Sequence, residues 1–337
     1  MSTVSAPTRP ASAPIAGGAE SPDGSHHGFG ITDAGLVLMA IIWGVNYSVV
    51  KAGLRTLPPL AFNGTRVLLA TMVLFAIAGL VRDAKWPSRK DTVSLLTLGV
   101  LGNGVYQLLF IFGLARTRAG VAALIVAAGP AWIAIISRLL GRERVSRNGW
   151  LGIGLQLVGV GCVVGSTQSL GGGGEVMLGA ALIMLGSIAW GLFSVLLQPY
   201  TQRSHPLHLS AITMSSGAVV ILTAATPDLL RLEWGQVSAS AWGSILYAGL
   251  GALVVAYLLF YRGVRVLGPT RTALYSNLQP VFALAVAWLM LHEQPGVWQL
   301  VGATCIMGGL LLSRFSRVRP SRAAALADAE ATTGVGT

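Results

Sequence analysis

The sequence predicts an all-α integral membrane protein, with ten transmembrane helices set as two inverted five-helix repeats around a central cavity. Three observations carry this. The 337 residues are 53% hydrophobic and only 10% charged, with a mean hydropathy of +0.69, a balance that suits a chain solvated mostly by lipid. Apolar runs long enough to cross a bilayer, about 20 residues each, follow one another from residue 34 to residue 314. The chain also repeats itself. Phe110, Gly113, Pro130, Glu143, Gly152 and Gly159 recur 150 residues later as Phe260, Gly263, Pro280, Glu293, Gly302 and Gly309. Nearer the start of each copy the offset is 147, with Trp43-Gly44 recurring as Trp190-Gly191 and Pro59-Leu60 as Pro206-Leu207. Five spans is an odd number, so the second copy must cross the membrane in the opposite sense. That ground plan is common among secondary transporters, which hold substrate where the copies meet.

Residues 1–32 are rich in Ala, Pro, Ser, Gly and Thr and are expected to form a disordered cytoplasmic tail. They lack the basic start and short apolar run of a signal peptide, and His26-His27 is too short a pair for a metal site. The first repeat, 34–168, holds spans at 34–51, 60–81, 93–115, 119–138 and 149–168. Asp33 suits the N-cap of the first, and Pro58-Pro59 ends the first hairpin. A glycine-rich hinge, 169–175, contains Gly171 to Gly174 but not the Lys-Ser/Thr of a phosphate loop. The second repeat, 176–315, holds spans at 176–197, 207–227, 238–261, 271–291 and 297–314, and 316–337 forms a second cytoplasmic tail. Glycine spacings such as Gly161 with Gly165, or Gly186 with Gly191, suit close helix packing.

Charge sets the orientation. Of 23 Lys and Arg, Arg66 falls inside a span and Lys51, Arg55, Arg116, Arg118 and Arg231 fall on one side. The other 17 lie in the tails and even-numbered loops, which places both termini in the cytoplasm by the positive-inside rule. The net charge of +11 is thereby a membrane signal and not a nucleic-acid one. Cys162 and Cys305 lie in apolar spans at unmatched positions and read as packing thiols.

Polar groups inside a membrane are costly and therefore mark function. No Asp or Glu falls near the middle of a span, which argues against a carboxylate proton relay and against a cation site. Arg66, two turns into the second span, and Lys51, at the end of the first, suit a vestibule that attracts an anionic group. Arg66 equally suits a structural clamp, and Lys51 equally suits snorkelling to lipid headgroups. Trp43, Asn46 and Tyr47 share one helix face by their i, i+3, i+4 spacing, as do Asn103, Tyr106 and Gln107. Trp190 and Ser194 occupy the matching face of the sixth span. Tyr257 matches Gln107 across the repeat, and Tyr275, Asn277 and Gln279 precede Pro280. All of these are candidate cavity residues, with helix packing the alternative. Pro130 and Pro280 free the carbonyls of Val126 and Ser276 and predict matched kinks. Glu143 and Glu293, on opposite membrane faces, suit either gates or helix caps.

No catalytic signature is present. HExxH, GxSxG, CxxC and Walker patterns are absent, and His205 and His208 flank Pro206 without acidic or cysteine partners. The sequence therefore predicts no enzyme activity, no cofactor and no metal.

The run Trp43-Gly44-Val45-Asn46-Tyr47, then Lys51, Pro58-Pro59 and Arg66, resembles the opening signature of the EamA-type, ten-helix members of the drug/metabolite transporter (DMT) superfamily. The proline-bearing fourth and ninth spans, the Gly141 to Glu143 and His292-Glu293 turns, and the glycine-rich fifth and tenth spans are similar too. The resemblance covers about 34 to 315. It implies a multi-pass inner-membrane carrier that exports or exchanges amino acids, related metabolites or toxic analogues. It also implies a cavity among spans 1–4 and 6–9, with spans 5 and 10 peripheral and available for a homodimer. Tyr47 stands where Phe is usual, and the second copy has Phe193 for Asn46 and Gln198 for Lys51. The implied partners are a small-molecule substrate and the lipid bilayer, not nucleic acid. Alternatives are a nucleotide-sugar or phosphorylated-metabolite exchanger, or a membrane enzyme or assembly protein.

Overall fold

Two serines 150 residues apart start matching helices. Ser88 Oγ accepts the Asp91 amide at 3.1 Å and Ser238 Oγ accepts the Ala241 amide at 3.2 Å, the capping that satisfies otherwise unpaired first-turn donors. The computed structural model describes residues 30–80, 86–169, 173–201, 203–314 and 319–320. The two predicted tails fall outside the described residues except for residues 30–32 and the bridge Arg319–Pro320, and so do residues 170–172 of the glycine run. Among the described residues eight helices are long and apolar enough to cross a membrane. They are span 1 (Ile31–Gly53), span 2 (Pro59–Leu80), span 3 (Arg89–Arg116), span 4 (Ala119–Leu139), span 5 (Arg147–Ser166), span 6 (Gly173–Thr201), span 7 (Pro206–Arg231) and span 8 (Ala239–Phe260). Two shorter apolar helices, Gln279–Leu291 and Val297–Ser313, complete spans 9 and 10.

Several helices depart from regular α geometry at repeat-related places. Spans 3 and 8 each pass through a π-helical stretch, Val100–Val105 and Tyr247–Val255. Spans 4 and 9 do more than kink. Span 4 breaks at Ala128, whose φ of −81° and ψ of 5° leave the helix, and span 9 breaks between Ser276 and Gln279. In both, the proline sits in the first turn of the second piece, where its missing N–H is harmless. Two local expectations are corrected. Asp33 is not an N-cap: the helix begins at Ile31, and the Asp33 carboxylate accepts the Tyr275 hydroxyl at 2.6 Å. The predicted loop between 261 and 271 is helical, because one helix runs from Ala256 to Ser276. The basic residues that mark that stretch are good helix formers, so polarity ends the apolar run without ending the helix.

Packing obeys a two-fold exchange of the copies. Span 3 lies on span 6 as span 8 lies on span 1. Span 4 lies on span 6 as span 9 lies on span 1, and span 3 on span 7 as span 8 on span 2. Spans 2 and 7 pair with each other, and so do spans 5 and 10. The last pair meets through glycine. A Cβ on Gly152 would lie 2.6 Å from the Gly309 carbonyl oxygen, and one on Gly159 would lie 2.7 Å from that of Gly302. Gly161 and Gly165 have nothing within 4 Å, so the close approach rests on a different set from the one the spacing predicts. The outward surface is apolar, with Met72, Val219, Trp288 and Leu289 more than half exposed, as lipid contact requires.

Gly159→Ala is therefore expected to lower thermal stability, since the added carbon meets backbone and overpacking costs about 1–3 kcal/mol. Gly161→Ala should leave stability unchanged or slightly raised. Equal melting temperatures for the two purified variants would contradict the seam.

Candidate functional site

The centre of the first copy is organised by one buried cation. Arg66 is 1% exposed although it sits in an apolar span. Its Nε donates to Asn63 Oδ1 at 2.9 Å and its Nη2 to Gln107 Oε1 at 2.8 Å, while Asn63 Nδ2 donates to the Gln107 carbonyl at 3.4 Å. The guanidinium carbon lies 5.8 Å from the Phe62 ring and 5.9 Å from the Phe110 ring, distances at which ring faces attract cations. No carboxylate among the described residues forms a salt bridge with it. Neutral oxygens orient the charge without cancelling it, and an isolated charge in a low-dielectric setting strongly favours an anion.

Aromatic rings extend from this point across both copies. Phe110 meets Tyr47 at 5.8 Å and Tyr106 at 5.9 Å, and Tyr106 meets Trp190 at 5.1 Å. Tyr257 lies edge-on to both repeat-related tryptophans, at 5.7 Å from Trp43 and 6.5 Å from Trp190. Trp43 is held in place by its Nε1, which donates to the Ala252 carbonyl at 2.9 Å in the π stretch of span 8. Trp43, Asn46, Tyr106, Trp190 and Tyr257 are all half-buried. Asn46 Oδ1 and Asn103 Oδ1 are buried acceptors with no hydrogen-bond partner from the protein.

The remaining candidates scatter. Asn103, Tyr106 and Gln107 do not share a face. The π stretch winds Asn103 towards span 7, where a Cβ on Gly217 would meet its side chain at 2.5 Å, while Gln107 turns to span 2 and Tyr106 to span 6. Ser194 bonds back to the Trp190 carbonyl at 2.7 Å. Tyr275 is engaged by Asp33 near the start of span 1. Asn277 and Gln279 are half-buried at the break in span 9.

Lys51 Nζ donates to the carbonyls of Leu114 and Ala115 at 2.8 and 3.0 Å, capping the end of span 3, where unpaired carbonyls and the dipole favour a cation. Glu293 accepts the amides of Ala119 and Gly120 at 3.0 and 3.1 Å, capping the start of span 4. It is aimed there by His292, which ends span 9 in the left-handed region at φ 56°. Glu143 lies in the two-residue strand Glu143–Arg144, and its side chain falls outside the described residues. Pro130 and Pro280 stand at the span breaks as given above.

Sequence reasoning missed Asn63. Its spacing to Arg66, i and i+3 on one helix, was the available signal. The 147-residue offset also carries Asn63 to Ser210 and Arg66 to Thr213. The structure makes these true mates: Gly249 approaches the Arg66 carbonyl, and Gly99, 150 residues earlier, approaches that of Thr213. The frame is symmetric and the charge is not.

The model of the EamA-like transporter family matches residues 30–165 and again 177–315. The uncharacterized transporter YyaM of Bacillus subtilis (strain 168) is 26% identical over 283 residues, covering 82% of this chain and 91% of that protein. The uncharacterized inner membrane transporter YedA of Escherichia coli (strain K12) is 29% identical over 256 residues, covering 74% and 79%. A solved crystal structure superposes with a TM-score of 0.59 at 18% identity, over 82% of this chain and 94% of that one, a likeness of fold.

If Asn63 and Gln107 serve to hold Arg66, their removal should be coupled to it. Asn63→Ala and Gln107→Ala are each expected to cost about 1.5–3 kcal/mol of unfolding stability, the range for hydrogen bonds to charged groups. In an Arg66→Met background each should cost much less. Additive losses in this double-mutant cycle would break the triad.

Proposed function

The chain belongs to the EamA-like transporter family and is a multi-pass membrane transporter, and from that premise we propose a secondary carrier that exports or exchanges small metabolites such as amino acids or related compounds. Each substrate bears an anionic group that engages Arg66. Two five-helix repeats, 34–168 and 176–315, rock against each other around the central aromatic and polar cluster. The observation that carries this reading is the buried, acid-free guanidinium against Phe110, whose ring leads through Tyr106 to Trp190 of the second repeat. Repeat-related packing of the spans supports alternating access. The basic bias of the even loops supports cytoplasmic termini, and the inner-membrane placement of YedA supports the same membrane for this chain. A homodimer through spans 5 and 10 would use their outward faces, since their glycine faces meet within the chain. An exchanger of phosphorylated compounds fits less well, because Arg66 is the one fully buried basic residue of a span among the described residues apart from His208.

A thermal-shift screen of purified protein tests the substrate class. Carboxylates that bind should raise stability by about 2.7 kcal/mol at a concentration of 100 Kd, and Arg66→Met should abolish the shift. Arg66→Lys should weaken it, because a point charge replaces a planar fork. Stabilisation by cationic or neutral compounds alone would end this reading. In proteoliposomes, efflux of a confirmed substrate is expected to persist when ΔpH is abolished, as no carboxylate relay crosses the centre. Collapse of efflux under that condition would overturn the uncoupled mechanism.

A further inference from the structure

The two membrane faces of the bundle are closed by unlike chemistry, and we propose that a latch formed by Lys51 and Glu293 biases the carrier towards the state in which their face is shut. The inference rests on the alternating-access reading above. Glu293 belongs to the second repeat and grips the start of span 4 in the first, through two amide donors. Beside it Lys51 ties the end of span 1 to the end of span 3, through two carbonyls. Four charge-assisted hydrogen bonds therefore converge where spans 1, 3, 4 and 9 meet, each stronger than a neutral bond. The neighbouring Arg116–Glu175 pair, 3.2 Å apart, has side chains 36% and 75% exposed and adds little.

The packing beneath this face is tight. Phe110 is 5% exposed and Ile125 0%. Their repeat mates at the opposite face, Phe260 and Tyr275, are only half-buried. At these matched positions the Lys51 face is thus the more tightly packed.

Inverted-repeat carriers open one side by exchanging the arrangements of their two copies. Shutting the opposite face therefore calls for the same latch transposed by 147 and 150 residues. The sequence supplies it incompletely. Position 143 keeps a glutamate, but position 198 carries Gln where Lys51 stands, so the cation becomes a neutral amide. Position 269 carries Pro where Ala119 stands, and proline has no N–H to donate. At these transposed positions the latch has one amide donor in place of two and no positive charge. The opposite face is tied instead by Arg142, which donates to the Val195 carbonyl, and by Asp33, which accepts the Tyr275 hydroxyl. The two closures are therefore unlike, and the Lys51 face is the one with the fully formed latch.

Distances between spin labels on the full chain in lipid nanodiscs test this without a substrate. Cys162→Ser and Cys305→Ser remove the native thiols. One label pair at Arg55→Cys and Gln294→Cys reports on the Lys51 face, and another at Arg138→Cys and Arg203→Cys reports on the opposite one. In the otherwise unaltered chain the Lys51 face should be predominantly short-distance. Glu293→Ala should raise its open-to-closed ratio by at least about tenfold, the loss of one or more bonds to a charged group, with reciprocal narrowing opposite. Gln198→Lys with Pro269→Ala should produce the same shift by strengthening the other side, and it leaves the native latch intact. Unchanged distributions in both variants would overturn the latch. Widening at the Lys51 face with no response opposite would overturn alternating access itself.

Discussion

Helix ends that stop inside a membrane protein leave amides and carbonyls that water does not reach, and satisfying them governs much of this architecture. A helix that crosses the whole bilayer hides its backbone in its own hydrogen bonds, and its ends meet water. The span 3 to span 4 turn is different. It lies under neighbouring helices, with Thr117 2% exposed and Ala119 fully buried. Four backbone groups there find partners only in Lys51 and Glu293, which reach across from spans 1 and 9. Such a solution ties the ends of distant helices together. Local backbone chemistry thereby becomes a connection between repeats.

The second theme is asymmetry laid on a symmetric frame. Gly99 and Gly249 do the same work in both copies, each letting a π-wound helix press on its partner's backbone. At the residues they press on, the copies part: Arg66 with Asn63 and Gln107 in one, Thr213 with Ser210 and Tyr257 in the other. A single cation on one side of the two-fold lets a ligand be oriented, since its charged end has one place to go. Burial at this depth strengthens the attraction and raises the cost of leaving it unanswered.

Much of this was legible beforehand because it is periodic. Offsets of 150 and 147 located the copies, and the apolar runs located most spans to within a few residues, though not the junction of spans 8 and 9, where one helix runs on to Ser276. Pro130 and Pro280 located the breaks. What escaped was whatever depends on a helix not being an α-helix. The face shared by Asn103, Tyr106 and Gln107 assumes 3.6 residues per turn, and the π stretch violates that. Nothing in Val100–Val105 announces π winding. The partners of Lys51 and Glu293 were hidden for another reason: they are backbone atoms, and side-chain patterns do not show which helix end a charge will find. Gly152 and Gly159 were recognised as repeated, but only packing showed that they face Gly309 and Gly302 rather than lipid.

That glycine seam has a consequence for ancestry. Gly152 meets Gly309 and Gly159 meets Gly302, and under the 150-residue offset these are one contact written twice. A self-complementary surface of this kind is what two identical, separately made subunits use to form a closed pair. A single five-helix polypeptide, inserted both ways up, could have assembled through it before any gene fusion joined the two. In such an ancestor every substitution at the seam would have struck twice, whereas in the fused chain each side is free to drift alone.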